Sequence, residues 1–159
     1  MRNKLWYSLV DCKTNEYYTA FVTRYYQWSE WLTNSFLVIT TSSSVAAWAI
    51  WDEYYLVWGF IIGISQLIML LKPFLLFPKY VKAYNEKNIS YQYLSWDLEK
   101  LWYNYENGLN NNTQAFEEYD KIKRRLIEND KFPDEVIVIL HKKALSKAER
   151  KFEQFQNQL

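Results

Sequence analysis

Two long runs with almost no formal charge, separated by only four residues, constrain the fold of this chain most. The first run, 32–51, has twenty residues and no charged side chain, and the second, 56–77, has twenty-two residues with Lys72 as its one charge. At a rise of ~1.5 Å per residue, a helix of either length spans the ~30 Å hydrocarbon core of a bilayer. The runs therefore predict a tight antiparallel hairpin of two transmembrane helices, and the alternative is that both are core helices of a soluble protein.

The aromatic content agrees with a membrane protein. Aromatic residues make up 19% of the chain, and they include eight Trp and fourteen Tyr. Both residue types favour the membrane–water interface, where the ring and its polar tip can each find a suitable environment. No signal-peptide pattern is evident at the start, so we expect the membrane segments themselves to direct insertion.

The charges that flank the two runs predict their orientation. The link between the runs carries only acidic charges, whereas lysine and arginine residues lie before the first run and after the second. The positive-inside rule then places both termini in the cytoplasm and the DEYY link outside. The flanking basic residues are Arg2, Lys4, Lys13, Arg24, Lys72, Lys79, Lys82 and Lys87.

The remaining sequence predicts helices. Residues 17–30 have an aromatic helical face, which either lies along the membrane interface or packs on the C-terminal half. Three further helices follow: one with a stripe from Tyr91 to Tyr105, one ending near Asn129, and one running from FPDE to about Gln156, with Gly108 as a C-cap in the first connection. The predicted fold class is an all-α membrane protein with an N-terminal cytoplasmic or interfacial helix (1–31), a transmembrane hairpin (32–77) and a cytoplasmic helical domain (78–159).

Small residues recur at four-residue spacing in both runs. Such spacing lets helix backbones approach closely in lipid, where no hydrophobic force drives helices together. The contact would be either the seam of the hairpin or an oligomer interface. The predicted helix-packing residues are Ser43, Ala47, Gly59 and Gly63.

Polar side chains also lie inside the runs. An amide facing lipid is costly, so Gln66 should face protein or water. The functional hypothesis is the lining of a pore, which one hairpin cannot enclose and which therefore requires self-association. The alternative is hydrogen bonding between or within the helices. The predicted pore-lining residues are Thr40, Thr41, Ser44, Ser65 and Gln66.

A basic surface is predicted on the second and third C-terminal helices. Lysine and arginine with aromatic neighbours suit phosphate-bearing ligands and stacked single-stranded bases. The alternative is an ordinary solvated face, because acidic residues are interspersed. The predicted ligand-binding residues are Lys121, Lys123, Arg124, Arg125, Lys142, Lys143 and Lys147.

No catalytic pattern is found. The chain has one cysteine, Cys12, and one histidine, His141, so a multi-cysteine or multi-histidine metal site is excluded. A glycine-rich phosphate loop, an HExxH pair and a nucleophile elbow are absent from the sequence. We therefore expect a protein that is not an enzyme and that needs neither a metal nor a cofactor.

The layout resembles a known class of proteins. The aromatic segment YYQWSEWLTNSF, the runs TTSSSVAAWAIW and LVWGFIIGISQLIMLLKP, and the long helices after them are similar to the SLATT-like two-transmembrane effectors of bacterial defence systems. The resemblance covers about residues 15–105. It rests on layout rather than on a fixed motif, so no signature residue is carried over.

The resemblance implies a function. Members of this class are associated with nucleotidyltransferase-type sensors, and they oligomerise and permeabilise the inner membrane so that infected cells arrest or die. A Hailong-type member would be a homotetrameric channel held shut by a DNA oligomer that its nucleotidyltransferase partner makes, and a nucleotide signal is the related alternative. The competing hypothesis is a non-conducting membrane anchor or assembly subunit that recruits a cytoplasmic partner.

Overall fold

The computed structural model describes residues 1–50, 55–75, 77–133 and 141–156, without the side chains of 42–50 and of 55. Its elements are α-helical, and the described residues contain no β-strand, which confirms the all-α prediction. A 3-10 turn, Lys72–Phe74, follows the second helix. The helices are α1 (Arg2–Ile50), α2 (Tyr55–Leu71), α3 (Phe77–Glu106), α4 (Asn112–Asn129) and α5 (Lys142–Gln156).

The chain forms two compact units. The bundle unit contains Met1–Arg24 and Tyr80–Leu159, and the central unit contains Tyr25–Lys79. α1 contributes residues to both, because it is one helix of 49 residues. It begins at Arg2, well before the helix start predicted at Tyr17, and the reason is that its first turns carry a buried stripe of their own.

The core of the bundle unit has coiled-coil-like spacing on two helices. On α1, Leu5, Leu9 and Cys12 are each 1% exposed and lie four and then three residues apart. On α3 the predicted stripe is confirmed, and it alternates in steps of three and four. Both patterns keep one face of a helix toward its neighbour. The core cluster consists of Leu5, Leu9, Cys12, Tyr91, Leu94, Leu98, Leu101, Ala115, Ile122 and Leu126.

Side-chain pairs show that α3 runs antiparallel to α1 within this unit. Near the start of α1, the Trp6 and Trp102 ring centroids lie 5.3 Å apart. Further along α1, Lys13 pairs with Glu99, nearer the start of α3, at 3.1 Å. Deeper still, the Asn88 amide donates to the Thr19 hydroxyl at 3.2 Å. Residues later in α1 therefore contact residues earlier in α3.

α5 also runs antiparallel to α1. The ammonium nitrogens of Lys147 and Lys151 lie 5.9 Å and 4.9 Å from the ring centroids of Phe21 and Tyr17, respectively. Beneath these contacts, Ala148 of α5 is fully buried. The aromatic face predicted for residues 17–30 is thus partly covered by α5 in the bundle unit. This contact corresponds to the packing alternative for that face, rather than to the interfacial one.

The connection between α3 and α4 follows the sequence closely. Gly108 has φ +68°, and the amide of Leu109 donates to the Asn104 carbonyl at 2.9 Å, which is a Schellman-type helix end. Asn111 then caps α4: its side chain accepts from the Gln114 amide, while the Gln114 side chain accepts from the Asn111 amide. The predicted C-cap at Gly108 is confirmed.

Within the described residues, the last helix does not begin at the predicted FPDE segment. Phe132 and Pro133 are not helical, and the next described helix begins at Lys142. The rest of that predicted start, residues 134–140, lies outside the described residues. The ring centroid of Phe132 instead lies 5.1 Å from that of the buried Tyr84 on α3.

One helix of the central unit is long and apolar enough to cross a membrane. Leu56–Phe74 has 19 residues, a mean hydropathy of 1.7 and only 6% of its residues buried. Among the described residues no second helix meets this test, so the two-span hairpin is not confirmed. The hydroxyl-rich stretch that begins at Thr40 lowers the hydropathy of the first run. Pro73 ends the α-helical part at Leu71, as its missing amide predicts.

Candidate functional site

The end of the α2 span packs beside α1 within the central unit. Leu37 and Thr41 of α1 and Met69 of α2 line one cavity of about 330 Å³, which also contacts Lys72. Nearer the middle of α2, Ser65 is only 3% exposed, and Thr40 of α1 is 7% exposed. These two predicted pore-lining hydroxyls are therefore buried in the unit rather than presented on its free surface.

The hydroxyls bond back to their own helices. Thr40 donates to the Phe36 carbonyl at 2.9 Å, Thr41 donates to the Leu37 carbonyl at 2.7 Å, and Ser65 donates to the Ile62 carbonyl at 2.8 Å. A hydroxyl satisfied in this way can be placed in an apolar environment at low cost. Three of the predicted pore-lining residues thus already have partners without water. The side chain of Ser44 lies outside the described residues.

One exposed face of α2 combines small residues with an amide. Gly59, Gly63 and Gln66 lie at positions i, i+4 and i+7, so they share a face. All three are exposed, and a Cβ placed on either glycine would meet no described atom within 4 Å. Among the described atoms, none therefore packs against these two glycines. The side chains of Ser43 and Ala47, the other predicted packing residues, lie outside the described residues.

The basic surface is partly neutralised. Arg124 pairs with Asp120 at 2.9 Å, and Arg125 pairs with Asp97 of α3 at 2.9 Å. Lys147 lies over the Phe21 ring and so helps to hold α5 on α1. These three predicted ligand residues have structural partners within the bundle unit.

Four lysines of the predicted basic surface are exposed in the bundle unit. No ion pair described for this unit involves any of them. Their side chains are accessible to an external ligand. The four are Lys121 and Lys123 of α4 and Lys142 and Lys143 of α5.

A polar cavity that the sequence did not predict lies between α1, α3 and α4. Its volume is about 240 Å³, and its lining includes Asp11, Asp130 and Lys123. Tyr91 donates its hydroxyl proton to Asp130, and the cost of burying this phenol, together with the neighbouring carboxylate, raises the pKa of Tyr91. Ser8, Asp11 and Asn15 do lie on one face of α1 by their spacing. The same spacing is typical of a solvent-exposed polar face, and only the packing of α3 and α4 against α1 shows that these residues line a cavity.

Cys12 lines the same cavity but is not a nucleophile. Burial raises the pKa of its thiol from 9.0 to about 12, with the Glu16 carboxylate acting in the same direction. Its sulfur lies 3.6 Å from the Tyr91 carbonyl oxygen, to which the thiol donates. A reactive cysteine needs a lowered pKa, so this thiol acts as a small apolar side chain.

Comparison of the chain with protein-family models, curated proteins and solved structures finds no match.

Among the described residues, no cluster of three or more His, Cys, Asp or Glu side chains is arranged to hold a metal ion. Burial lowers the pKa of His141, whose backbone amide donates to the Tyr18 hydroxyl at 3.2 Å. Burial also lowers the pKa of Lys87, which donates to the Asn129 carbonyl and lies 4.0 Å from the Phe132 ring centroid. The His141 backbone thus bonds to α1, and the Lys87 side chain joins α3 to the end of α4.

Proposed function

We propose that this chain is a homo-oligomeric membrane effector that permeabilises a bacterial inner membrane and is controlled through its bundle unit. The face formed by Gly59, Gly63 and Gln66 carries the proposal. Gln66 lies near the middle of the candidate span, where an amide exposed to lipid has the largest cost. A second copy of the helix would supply hydrogen-bond partners, and the two glycines would allow the backbones to approach closely.

The exposed surface of α2 supports its placement in lipid. Val57, Met69 and Leu70 are 56%, 55% and 73% exposed, and at about 100° per residue they lie on different sides of the helix. A helix that is apolar all round and unburied has lipid as its natural solvent. The bundle unit, by contrast, has its own apolar core and a charged surface, so it belongs in water.

The resemblance to SLATT-like effectors supplies the biological setting of the proposal. In that setting the oligomer is a tetrameric channel of anti-phage defence, and its signal is a single-stranded DNA oligomer or a nucleotide made by a nucleotidyltransferase partner. The four exposed lysines are the side chains that would bind the phosphates of such a signal. Gln66 and Thr41, both exposed, would face the conducting path.

The oligomeric part is tested with one substitution in α2. Gly63→Leu fills the proposed contact, and because nothing described lies near that Cβ, the fold of the single chain should be unchanged. We expect self-association in detergent to weaken at least about tenfold, which is ~1.4 kcal/mol, and depolarisation of expressing cells to be lost. Light scattering and a membrane-potential dye measure the two effects.

The matched control is Val57→Leu, which enlarges an exposed side chain on the opposite side of α2. It should leave both self-association and depolarisation as in the wild type. A wild-type chain that remains monomeric in detergent and in native membranes would overturn the proposal.

The ligand part is tested separately. Lys121→Glu combined with Lys123→Glu reverses two exposed charges on α4. We expect binding of a short single-stranded DNA oligonucleotide to fall at least about tenfold and to depend less steeply on salt, because fewer phosphates are neutralised. Unchanged binding and unchanged depolarisation in this variant would remove the proposed role of the basic surface.

A non-conducting anchor is the second candidate, and the bonded hydroxyls favour it. Thr40, Thr41 and Ser65 need no water, so the span can be stable without lining a pore. An oligomer that forms but never depolarises membranes, with or without the oligonucleotide, would favour this function.

A further inference from the structure

α3 carries a second stripe, separate from the one that builds the core. Ile89, Tyr93, Trp96 and Tyr103 are 44%, 68%, 61% and 64% exposed, and they form a row along one helix. With Lys100 they follow steps of four, three, four and three residues along the helix. We call these five positions the α3 seam.

The α3 seam lies opposite the buried face of the same helix. Trp96 follows the buried Leu94 by two residues, as Tyr93 follows Tyr91, and two residues turn a helix by about 200°. α3 therefore has one stripe for α1 and α4 and another on its outer side. The 3.5-residue period of the outer stripe is the spacing of a coiled-coil contact, which keeps a straight row of side chains toward a second helix.

We propose that the α3 seam binds the α3 seam of a second copy of this chain. The inference deepens the proposed function, on which it rests, by naming where the bundle units of the oligomer contact each other. A helix with this row can pair with an identical helix, because each aromatic side chain meets the same chemistry on the other copy. Packing of exposed Trp and Tyr rings supplies the anchors that protein interfaces favour.

The charge of α3 argues for a protein partner rather than a nucleic acid. The helix carries four lysines and four acidic residues, so it has no net charge to attract a polyanion. Its one basic seam position, Lys100, has its ammonium nitrogen 5.9 Å from the Trp96 ring centroid of the same chain. In a pair of seams the same lysine would also reach an aromatic ring of the second copy.

The area of the seam fits a contact that works together with another one. Aromatic side chains bury ~150–250 Å² each, so seam residues exposed by half to two thirds offer roughly 400 Å² per copy. A stable interface needs ~800 Å² per partner. The α3 seam is therefore about half of such an interface. The proposed α2 contact is a second contact of the same oligomer.

Cysteine cross-linking in native membranes tests the contact. In a Cys12→Ser background, Tyr93→Cys, Trp96→Cys and Tyr103→Cys are each oxidised in the full-length chain. We expect disulfide-linked dimers at these seam positions. Phe116→Cys is the matched control, since Phe116 is an exposed aromatic residue on α4 outside the seam, 53% accessible, and it should give no dimer above background.

A charge substitution separates the outcomes. Trp96→Glu should weaken self-association at least about fivefold, whereas Phe116→Glu should leave it unchanged, with circular dichroism confirming that both variants fold.

Equal cross-linking at seam and control positions, or full self-association in Trp96→Glu, overturns the seam but leaves the α2 contact standing. A loss of oligonucleotide binding in Trp96→Glu with no change in self-association would assign the seam to nucleic acid instead. A monomeric wild-type chain removes the proposed function itself.

Discussion

Polar residues inside the bundle unit are held by specific partners. Lys13 is paired with both Glu16, at 3.3 Å, and Glu99, at 3.1 Å, and these carboxylates raise its pKa although burial acts in the opposite direction. Ser95, 1% exposed, donates to Glu16 at 2.6 Å. Buried charges are tolerated only when they are paired and hydrogen-bonded in this way. This polar layer fixes the register of α1 against α3.

Also at the residue scale, ionisation of the Cys12 thiol makes the stability of the bundle unit depend on pH. Its folded pKa of about 12 exceeds the unfolded value of 9.0, so its contribution is complete below pH 9.0 and is lost as the pH rises from 9.0 toward 12. The stability of the wild type should therefore fall more steeply over this window than that of Cys12→Ser, whose hydroxyl does not titrate. Urea unfolding in detergent at several pH values measures the difference. Parallel pH profiles would show that the thiol ionises equally in both states.

At the scale of the element, the ends of the helices are well specified. The α3–α4 connection contains a glycine in the left-handed region and a capping box, and each satisfies backbone groups that a helix leaves unpaired. α2 and α3 each also present an exposed face whose residue spacing is typical of a contact with another helix. Short-range rules therefore account for where these helices end, and the unpaired faces are where we expect a second copy.

The capping box gives a prediction at this scale. Asn111→Ala removes both the side-chain acceptor for the Gln114 amide and the geometry of the reciprocal bond. We expect a loss of ~1 kcal/mol in the free energy of unfolding of the bundle unit. The control is Thr113→Ala at the next exposed position of the first turn, which should change stability by less than ~0.5 kcal/mol. Equal effects of the two substitutions in urea unfolding would contradict the cap.

At the scale of the whole molecule, distant parts of the sequence share one unit. Met1–Arg24 groups with Tyr80–Leu159, and Leu5, Leu9 and Cys12 belong to the same core cluster as residues of α3 and α4. The predicted division at residues 31 and 78 follows the apolar runs and does not reflect this pairing. The membrane-type segment is thus inserted within the sequence of the bundle unit.

A truncation tests this organisation. Residues 80–159 without 1–24 lack the α1 side of the core, so we expect them to be largely unfolded or aggregated in water. Joining residues 1–24 to residue 80 through a flexible linker should restore a cooperative, protease-resistant unit. Circular dichroism and limited proteolysis compare the two chains. A fully folded 80–159 fragment would show that α1 is dispensable for the core.

Local patterns were sufficient for much of the fold. The stripe of α3, the end of α4 at Asn129 and the left-handed Gly108 each depend on residues close in sequence, and each was predicted correctly. The early start of α1 was missed because its buried row changes from apolar to polar after Cys12, and Glu16 and Thr19 bond to α3. Of the candidate site, the small-residue face of α2 was visible in the sequence. The exposure of that face could be read only from the structure.

The sequence alone determined that this chain is helical and that it has a segment apolar enough for lipid, because helix periodicity and hydropathy are sums over neighbouring residues. The tertiary structure decided which basic residues are neutralised, which hydroxyls are buried and which faces of α2 and α3 lack a partner. These properties depend on residues far apart in the chain, such as Arg125 and Asp97, and no local pattern specifies the distance between them.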